Sequence, residues 1–372
     1  MGDADDDYTV RWFEPGDREA VLALYADTFG GGGDDWFDWK YLDNPRASHV
    51  PVLVAERDRD GAFAGARPQV PFRFRVGGDP VLGLRFGDTM VHPDHRRRGV
   101  FTRLTERALE HYAGMPTALC FNVPNDAARP GFLKAGGEVV ADLPSHYRVQ
   151  DPGALAAATR DSAAAAGLSR LAAPAARGYL GARDRLAAAP EDVTVVRYRD
   201  VPVEPLASLY ERGVPAGVHA DRDAAFLSWR YGNPDWAYEA FVARAGGDPV
   251  AAVVTGTQTD ADGVTTTNVV DALPLRGGDR RDAGLRAALA AVVREYADSD
   301  LLAYAGSAIP RSVLRAHGFL PDDRPPLSRV TSPTLLVAYD LTGDDGRDWR
   351  MNGLDLRDGE TWALSYAELD AR

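Results

Sequence analysis

The 372-residue chain is too long for one ordinary domain and long enough for two or three, and its 45% hydrophobic and 9% aromatic residues exclude wholesale disorder. No apolar run approaches the roughly 18 residues that cross a bilayer. A net charge of −13 repels phosphate backbones and anionic lipid heads, and the single cysteine, Cys120, excludes an intrachain disulfide and a cysteine-based metal cluster.

The segment from Met1 to Asp7 is acidic and lacks an apolar stretch, the opposite of a signal peptide, so a cytoplasmic protein is expected. Tyr8 to Phe13 reads as a strand and Asp17 to Phe29 as a helix, followed by Trp36-Phe37-Asp38-Trp39-Lys40-Tyr41-Leu42-Asp43-Asn44-Pro45. Short β-rich runs come next, Pro51 to Glu56 and Phe72 to Val76, then an acid-bearing strand, Phe86 to Val91, with Asp88 in it. A long amphipathic helix is predicted over about Val100 to Tyr112, then a strand from Thr117 to Val123 and a short helix ending near Gly136. Cys120 lies in an apolar run and reads as a small buried hydrophobe. Residues 151–190 are rich in alanine and read as linker helices, with Leu155, Leu168 and Leu171 free to pack on what they join.

From Val193 the order repeats. A strand, Val193 to Tyr198, leads to a helix over Glu204 to Arg212, and then to Phe226-Leu227-Ser228-Trp229-Arg230-Tyr231-Gly232-Asn233-Pro234. This shares with the first copy an aromatic, then Trp, a basic residue and Tyr, then Asn-Pro. Strands Tyr238 to Arg244 and Val250 to Thr255, an acid-bearing strand Val269 to Pro274, a helix Arg281 to Tyr296, a strand Leu301 to Ala305 and a short helix ending near Gly318 follow in register. Pro333 to Leu341 reads as one more strand, and the aromatics Trp362 and Tyr366 predict a tail docked on the body. Duplication is the simplest account: units at 1–150 and 191–345, a linker at 151–190 and a tail at 346–372.

The stretch that carries chemistry runs from Val91 to Leu104. A strand ends at Val91, a basic loop with Arg96, Arg97 and Arg98 turns, and Gly99 opens a helix at Val100. First-turn amides have no intrahelical acceptor and the helix dipole adds positive charge, so such a turn is an anion site. Glycine lets a phosphate approach the backbone, and the three guanidinium groups lie within reach of a pyrophosphate. The competing reading is a solvated arginine cluster on an acidic protein.

Val-x-Pro, Arg96-x-x-Gly99 and the later Asn125-x-x-Ala128 with Phe132 and Gly136 resemble the cofactor signature of the GNAT N-acyltransferases. Phe101 stands where that signature has glycine or alanine, and Phe132 where the family's tyrosine general acid is usual. The resemblance is good over residues 8–148 and weaker over 193–340. It implies an α/β fold of two tandem units, each a mixed twisted sheet flanked by helices, with a parallel strand pair splayed at the cofactor site. It further implies acetyl-CoA or another acyl-CoA as donor, no metal, and a small-molecule amine, such as an amino sugar, as acceptor. Met90, Val91, Arg96, Arg97, Arg98, Gly99, Val100, Phe101 and Asn125 would hold the cofactor, and Asp88 would take the amine's proton or else serve as a structural carboxylate. Trp39 and Tyr41 would line the acceptor pocket or else belong to the core. The second unit has two aspartates, Asp279 and Asp282, among the glycines and arginines of the matching turn, and a carboxylate repels a diphosphate, so no CoA is expected there. Two other classes compete: a Fem-like aminoacyl transferase fed by charged tRNA, against which the net charge speaks, and a non-catalytic binding protein, which Phe101 and Phe132 favour.

Composition carries a separate expectation. The chain has 42 Asp against 13 Glu and 40 Arg against 2 Lys, which resembles the proteins of salt-loving archaea. Dense carboxylates repel one another in dilute buffer and are screened by salt. The melting temperature is therefore expected to rise from dilute buffer to molar KCl; a flat profile would refute the reading.

Overall fold

The computed structural model describes residues 7–113, 115, 117–154, 174, 178–185, 187, 190–329, 331–341 and 349–369. Leu155, Leu168 and Leu171 lie outside them. Two mixed sheets flanked by helices carry the structure, as the sequence predicts.

The first sheet begins with β1 (Tyr8–Trp12), which is followed by helices α1 (Arg18–Phe29) and α2 (Asp34–Phe37). It continues through β2 (Val52–Arg57), β3 (Ala62–Val76) and β4 (Asp79–Phe86), all antiparallel to their neighbours. The predicted strand from Phe86 to Val91 is broken. Gly87 to Thr89 leave the sheet with Asp88 at a φ of 50°, and β5 (Met90–Val91) turns back to pair with Gly65 and Ala66 of β3. Aspartate is among the few residues that tolerate this left-handed geometry. Helix α3 (Val100–Ala113) follows, then β6 (Thr117–Asn122), parallel to β4 from Leu82 to Arg85, then α4 (Arg129–Lys134) and β7 (Glu138–Leu143).

The next strand, β8 (Ser145–Val149), leaves this sheet. The second sheet holds β9 (Val193–Tyr198), and β10 (His219–Ala220) crosses to pair with β3, between helices α5 (Val203–Tyr210) and α6 (Ala224–Arg230). Strands β11 (Ala237–Ala245), β12 (Asp248–Thr259) and β13 (Thr265–Leu273), helix α7 (Asp279–Glu295) and β14 (Leu301–Ala305) complete the repeat, with β13 and β14 parallel. Helix α8 (Arg311–Ala316), β15 (Leu320–Pro321) and β16 (Thr334–Asp340) follow.

The two sheets match position by position, β1-β2-β3-β4-β6-β16-β7 against β9-β11-β12-β13-β14-β8-β15. The sixth places are exchanged. β16 inserts between β6 and β7, and β8 between β14 and β15, each antiparallel to both neighbours. The boundaries expected at 150 and 191 therefore cut across the sheets, because each sheet is closed by a strand from the other half of the chain. Parts of the linker region lie against the second sheet: Asp184 pairs with Arg148 of β8 at 2.8 Å. The expected docking of Trp362 is found, its buried ring lying 6.1 Å from that of Phe121 in β6.

Trp39 and Trp229, the centres of the repeated motif, stack on each other across the interface. Their rings lie 5.5 Å apart at 13°, and each Nε1–H donates to the other's backbone carbonyl, at 2.5 and 2.7 Å. Stacking and reciprocal hydrogen bonds satisfy the buried indoles completely. Trp39 is thus buried in the core. Tyr41 is likewise buried, packed edge-on to Trp36 and Phe37.

His219 is buried in the same interface, donating from Nδ1 to the Gly217 carbonyl at 2.7 Å, with the Tyr210 hydroxyl 3.0 Å from Nε2. Burial and then Arg222 pull its pKa from 6.5 down to about 4, and burial does the same for His146. Both rings are neutral when folded and take up a proton when unfolded below pH about 6.5. Their contribution is therefore full above pH 6.5 and is lost as pH falls toward 4, roughly 2 kcal/mol of it for each by pH 5. Urea midpoints at pH 7 and pH 5 check this, with His219→Gln expected to flatten the difference; an equally steep variant would exclude His219 as the cause.

Candidate active site

The site starts from the end of the β4–β6 pairing. The last paired residues are Arg85 and Phe121; beyond them β4 breaks at Gly87 and β6 runs out into Val123-Pro124-Asn125, so the strands part. A cleft of about 620 Å³ opens there, bounded by the break, the basic turn before α3, residues 122–128 and Phe132.

The turn has the geometry an anion requires. Arg97 and Gly99 both take left-handed φ, 64° and 80°, and the first helical hydrogen bond runs from Arg103 N–H to the Gly99 carbonyl at 3.0 Å. The amides of residues 100–102 thus precede any intrahelical acceptor. A Cβ on Gly99 would meet nothing within 4 Å, so glycine is required by conformation and by approach from outside, not by crowding within the fold. Arg96, Arg97, Gly99, Val100 and Phe101 line the cleft, as do Val91 and Asn125. Met90 is buried beneath it, and Arg98 is exposed beside it. Arg96 folds back so that Nε–H donates to the Val91 carbonyl at 3.1 Å. Asn125 accepts from the Ala128 N–H at 2.9 Å, which assigns its side chain oxygen to the turn before α4.

Phe101 is accommodated by a matching change across the cleft floor. Its ring occupies the space where a side chain at Gly131 would begin, 2.5 Å from that Cβ position, and packs edge-on to Phe132. Beneath both rings lies Arg67, fully buried and stacked at 4.1 Å on Phe86, donating to Thr89 and Thr105 at 3.1 and 3.0 Å. Burial pushes this guanidinium down to about 10. A buried cation under the cleft lends positive potential to anything bound above it. No tyrosine lines the cleft among the described residues.

Asp88 reaches the cleft, but its carboxylate is bonded to the ammonium of Lys40 and both side chains are buried. Lys40 in turn sits over Trp36, with its Nζ 4.6 Å from the ring centroid, which desolvates it further. Asp88 is therefore half of a buried ion pair at the edge of the cleft. In the second sheet the matching Asp271 is also buried and pairs with Arg222, which is bonded in turn to Glu368. There the turn before α7 is filled by its own side chain: Arg281 is buried, donates to the Pro274, Leu275 and Ala308 carbonyls, and lies where a side chain at Gly277 would stand.

Sequence reasoning missed Thr28, Phe29 and Arg85 in the lining. His95, which its place in the basic loop sets beside the cofactor turn, also lines the cleft and is buried with Nδ1 3.1 Å from the Tyr8 hydroxyl, burial lowering its pKa. For Arg85 the signal was a charged residue between Leu84 and Phe86, out of phase with the apolar face of β4.

A strand pair parts here beside a helix N-terminus, and the fold has counterparts among known proteins. Residues 9–137 match the family model of the acetyltransferase (GNAT) domain. Among solved structures, a GCN5-related N-acetyltransferase from Anabaena variabilis ATCC 29413 is 12% identical, with a TM-score of 0.61 over 90% of this chain and 73% of that one. A GCN5-related N-acetyltransferase from Kribbella flavida is 16% identical, with a TM-score of 0.55 over 90% and 71%. The Saccharomyces cerevisiae N-myristoyltransferase with bound myristoyl-CoA is 9% identical, with a TM-score of 0.58 over 91% and 80%. At these identities the likeness is one of fold. No curated protein sequence matches the chain.

The residues present fit an acyl-CoA. The three leading amides of α3, the guanidinium groups of Arg96 and Arg97 and the open approach to Gly99 suit a diphosphate, and the cleft beyond suits an extended arm. Among the described residues no cluster of potential metal ligands occurs, and no helix is long and apolar enough to cross a membrane.

Proposed function

We propose that the chain is an acyl-CoA-dependent N-acyltransferase acting on a small primary amine, with its one working site in the first sheet. The observation that carries this is the left-handed turn at Arg97 and Gly99, which opens the N-terminus of α3 onto a cleft at the parting of β4 and β6. Acyl-CoA supplies an activated thioester; the chain's own residues bind, orient and move a proton. Arg96, Arg97 and the leading amides of α3 hold the phosphates, and the parted strands guide the arm inward. Asp88 takes the amine's proton. Lys40 holds the carboxylate in place. An amine that has begun to bond to an acyl carbon is far more acidic than a free ammonium, so a weak base suffices.

The second sheet is proposed to be a duplicated copy that has lost the cofactor, the space being taken by Arg281. The amino-sugar acceptor and the salt-loving origin are further parts of this reading, the latter resting on composition alone. Calorimetry with acetyl-CoA and thiol release with a panel of amines test it. Binding with a one-to-one stoichiometry and amine-dependent release are expected; absence of binding at millimolar acetyl-CoA would sink the assignment.

A further inference from the structure

Arg85 is the last residue of β4 to pair with β6, and its side chain borders two cavities. One is the cleft described above. The other, of about 220 Å³, lies on the far side of the strand parting and shares Arg85 and Val123 with the first. Its walls come from the strand exchange, Ser145 and Tyr147 of β8 and Thr334 of β16, closed by Tyr366 of the tail. It is therefore built by both halves of the chain and meets the donor cleft where the strands separate.

Among the described residues no carboxylate is bonded to the guanidinium there. Arg85 is 5% exposed, and among the described residues its Nε and Nη1 have no hydrogen-bond partner. It lies against Gly87, where a Cβ would stand 3.3 Å from Nη1. No acidic residue lines the smaller cavity. A buried guanidinium without a counter-ion is costly, and the cost is recovered when a ligand supplies a carboxylate or phosphate to its planar fork.

We infer that the smaller cavity is the acceptor site and that Arg85 selects an amine carrying a carboxylate or phosphate group. This rests on the acyltransferase reading and narrows its substrate class. The reaction remains simple acyl transfer: the amine nitrogen bonds to the acyl carbon, the carbon–sulfur bond breaks, and the amine's proton leaves, so coenzyme A is released as its thiol.

Matched acceptors differing only in the anion test the inference. Thiol release from acetyl-CoA is followed with phenylalanine against 2-phenylethylamine, and with O-phosphoethanolamine against ethanolamine; the two pairs separate carboxylate from phosphate. At least one anionic member is expected to exceed its neutral partner in kcat/KM by roughly 10- to 100-fold, the range of a charge-assisted hydrogen bond. In Arg85→Met that ratio collapses toward one, and Arg85→Lys restores part of it. Removing an unpaired buried charge is expected to leave the melting temperature of Arg85→Met at or above that of the parent, so misfolding does not cloud the result. Equal rates for both members of each pair, with acetyl-CoA still bound, would overturn the inference and leave the transferase reading intact. Loss of acetyl-CoA affinity in Arg85→Met with discrimination unchanged would also overturn it, by assigning Arg85 to the donor. Failure of the parent protein to bind acetyl-CoA at all would remove the underlying reading instead.

Discussion

Gly99→Asp is expected to weaken acetyl-CoA binding by about 100-fold or more, since it combines left-handed strain of roughly 1–2 kcal/mol with a carboxylate placed among phosphates. Gly99→Ala separates the two effects. A Cβ at this position meets nothing within 4 Å, so alanine brings the strain of φ 80° and little else, and about a tenfold loss at most is expected. Both variants should unfold at similar denaturant concentrations, because Gly99 is exposed and the strain is common to them. Calorimetric titration of the two variants checks this. An affinity for Gly99→Asp within threefold of the parent would show that the turn does not face the phosphates.

Lys40→Met should be the most destabilising single change near the site. Both partners of the Lys40–Asp88 pair are buried, and removing one takes from the other its ion-pair partner, at a cost of about 3–5 kcal/mol. Methionine retains the length of the aliphatic stem against Trp36, so the loss reports charge and not volume. The double variant Lys40→Met/Asp88→Asn removes both charges and keeps a residue that tolerates the φ of 50° at position 88. It should recover most of the stability, giving a favourable coupling of roughly 2 kcal/mol or more between the sites. Urea unfolding of the parent, both single variants and the double variant measures it. A coupling near zero would mean that Asp88 is stabilised by other groups. The same proteins test the proton-transfer role, since Asp88→Asn should lower kcat while sparing acetyl-CoA affinity.

The contrast between the two matching aspartates shows how far a repeat can be read. Asp88 sits in the break after β4 and Asp271 within β13, and both are buried in ion pairs. Asp88 meets the motif's own Lys40, whereas Asp271 meets Arg222 from a neighbouring segment, and Arg230 turns instead to the Ala367 and Tyr366 carbonyls of the tail. Motif spacing placed the residues on corresponding elements. It could not say which cation would reach which carboxylate.

The sequence by itself determined the elements and the anion turn. Period-two and period-3.6 patterning located β1, β9, β14, α3 and α7 within a residue or two, and Arg96 to Gly99 marked the helix start, because these signals are local and repeat within one turn or one pleat. Only the tertiary structure decided the exchange of β8 and β16, the burial of Trp39 and Tyr41, the capture of Asp88 by Lys40 and the cavity at Arg85. Each of these depends on a partner far away in the chain, almost 200 residues for the Trp39–Trp229 stack. An amphipathic strand shows which face it buries, but not which of two similar sheet openings it will fill, since both offer the same backbone hydrogen bonds and the choice is made by the side chains already lining each one.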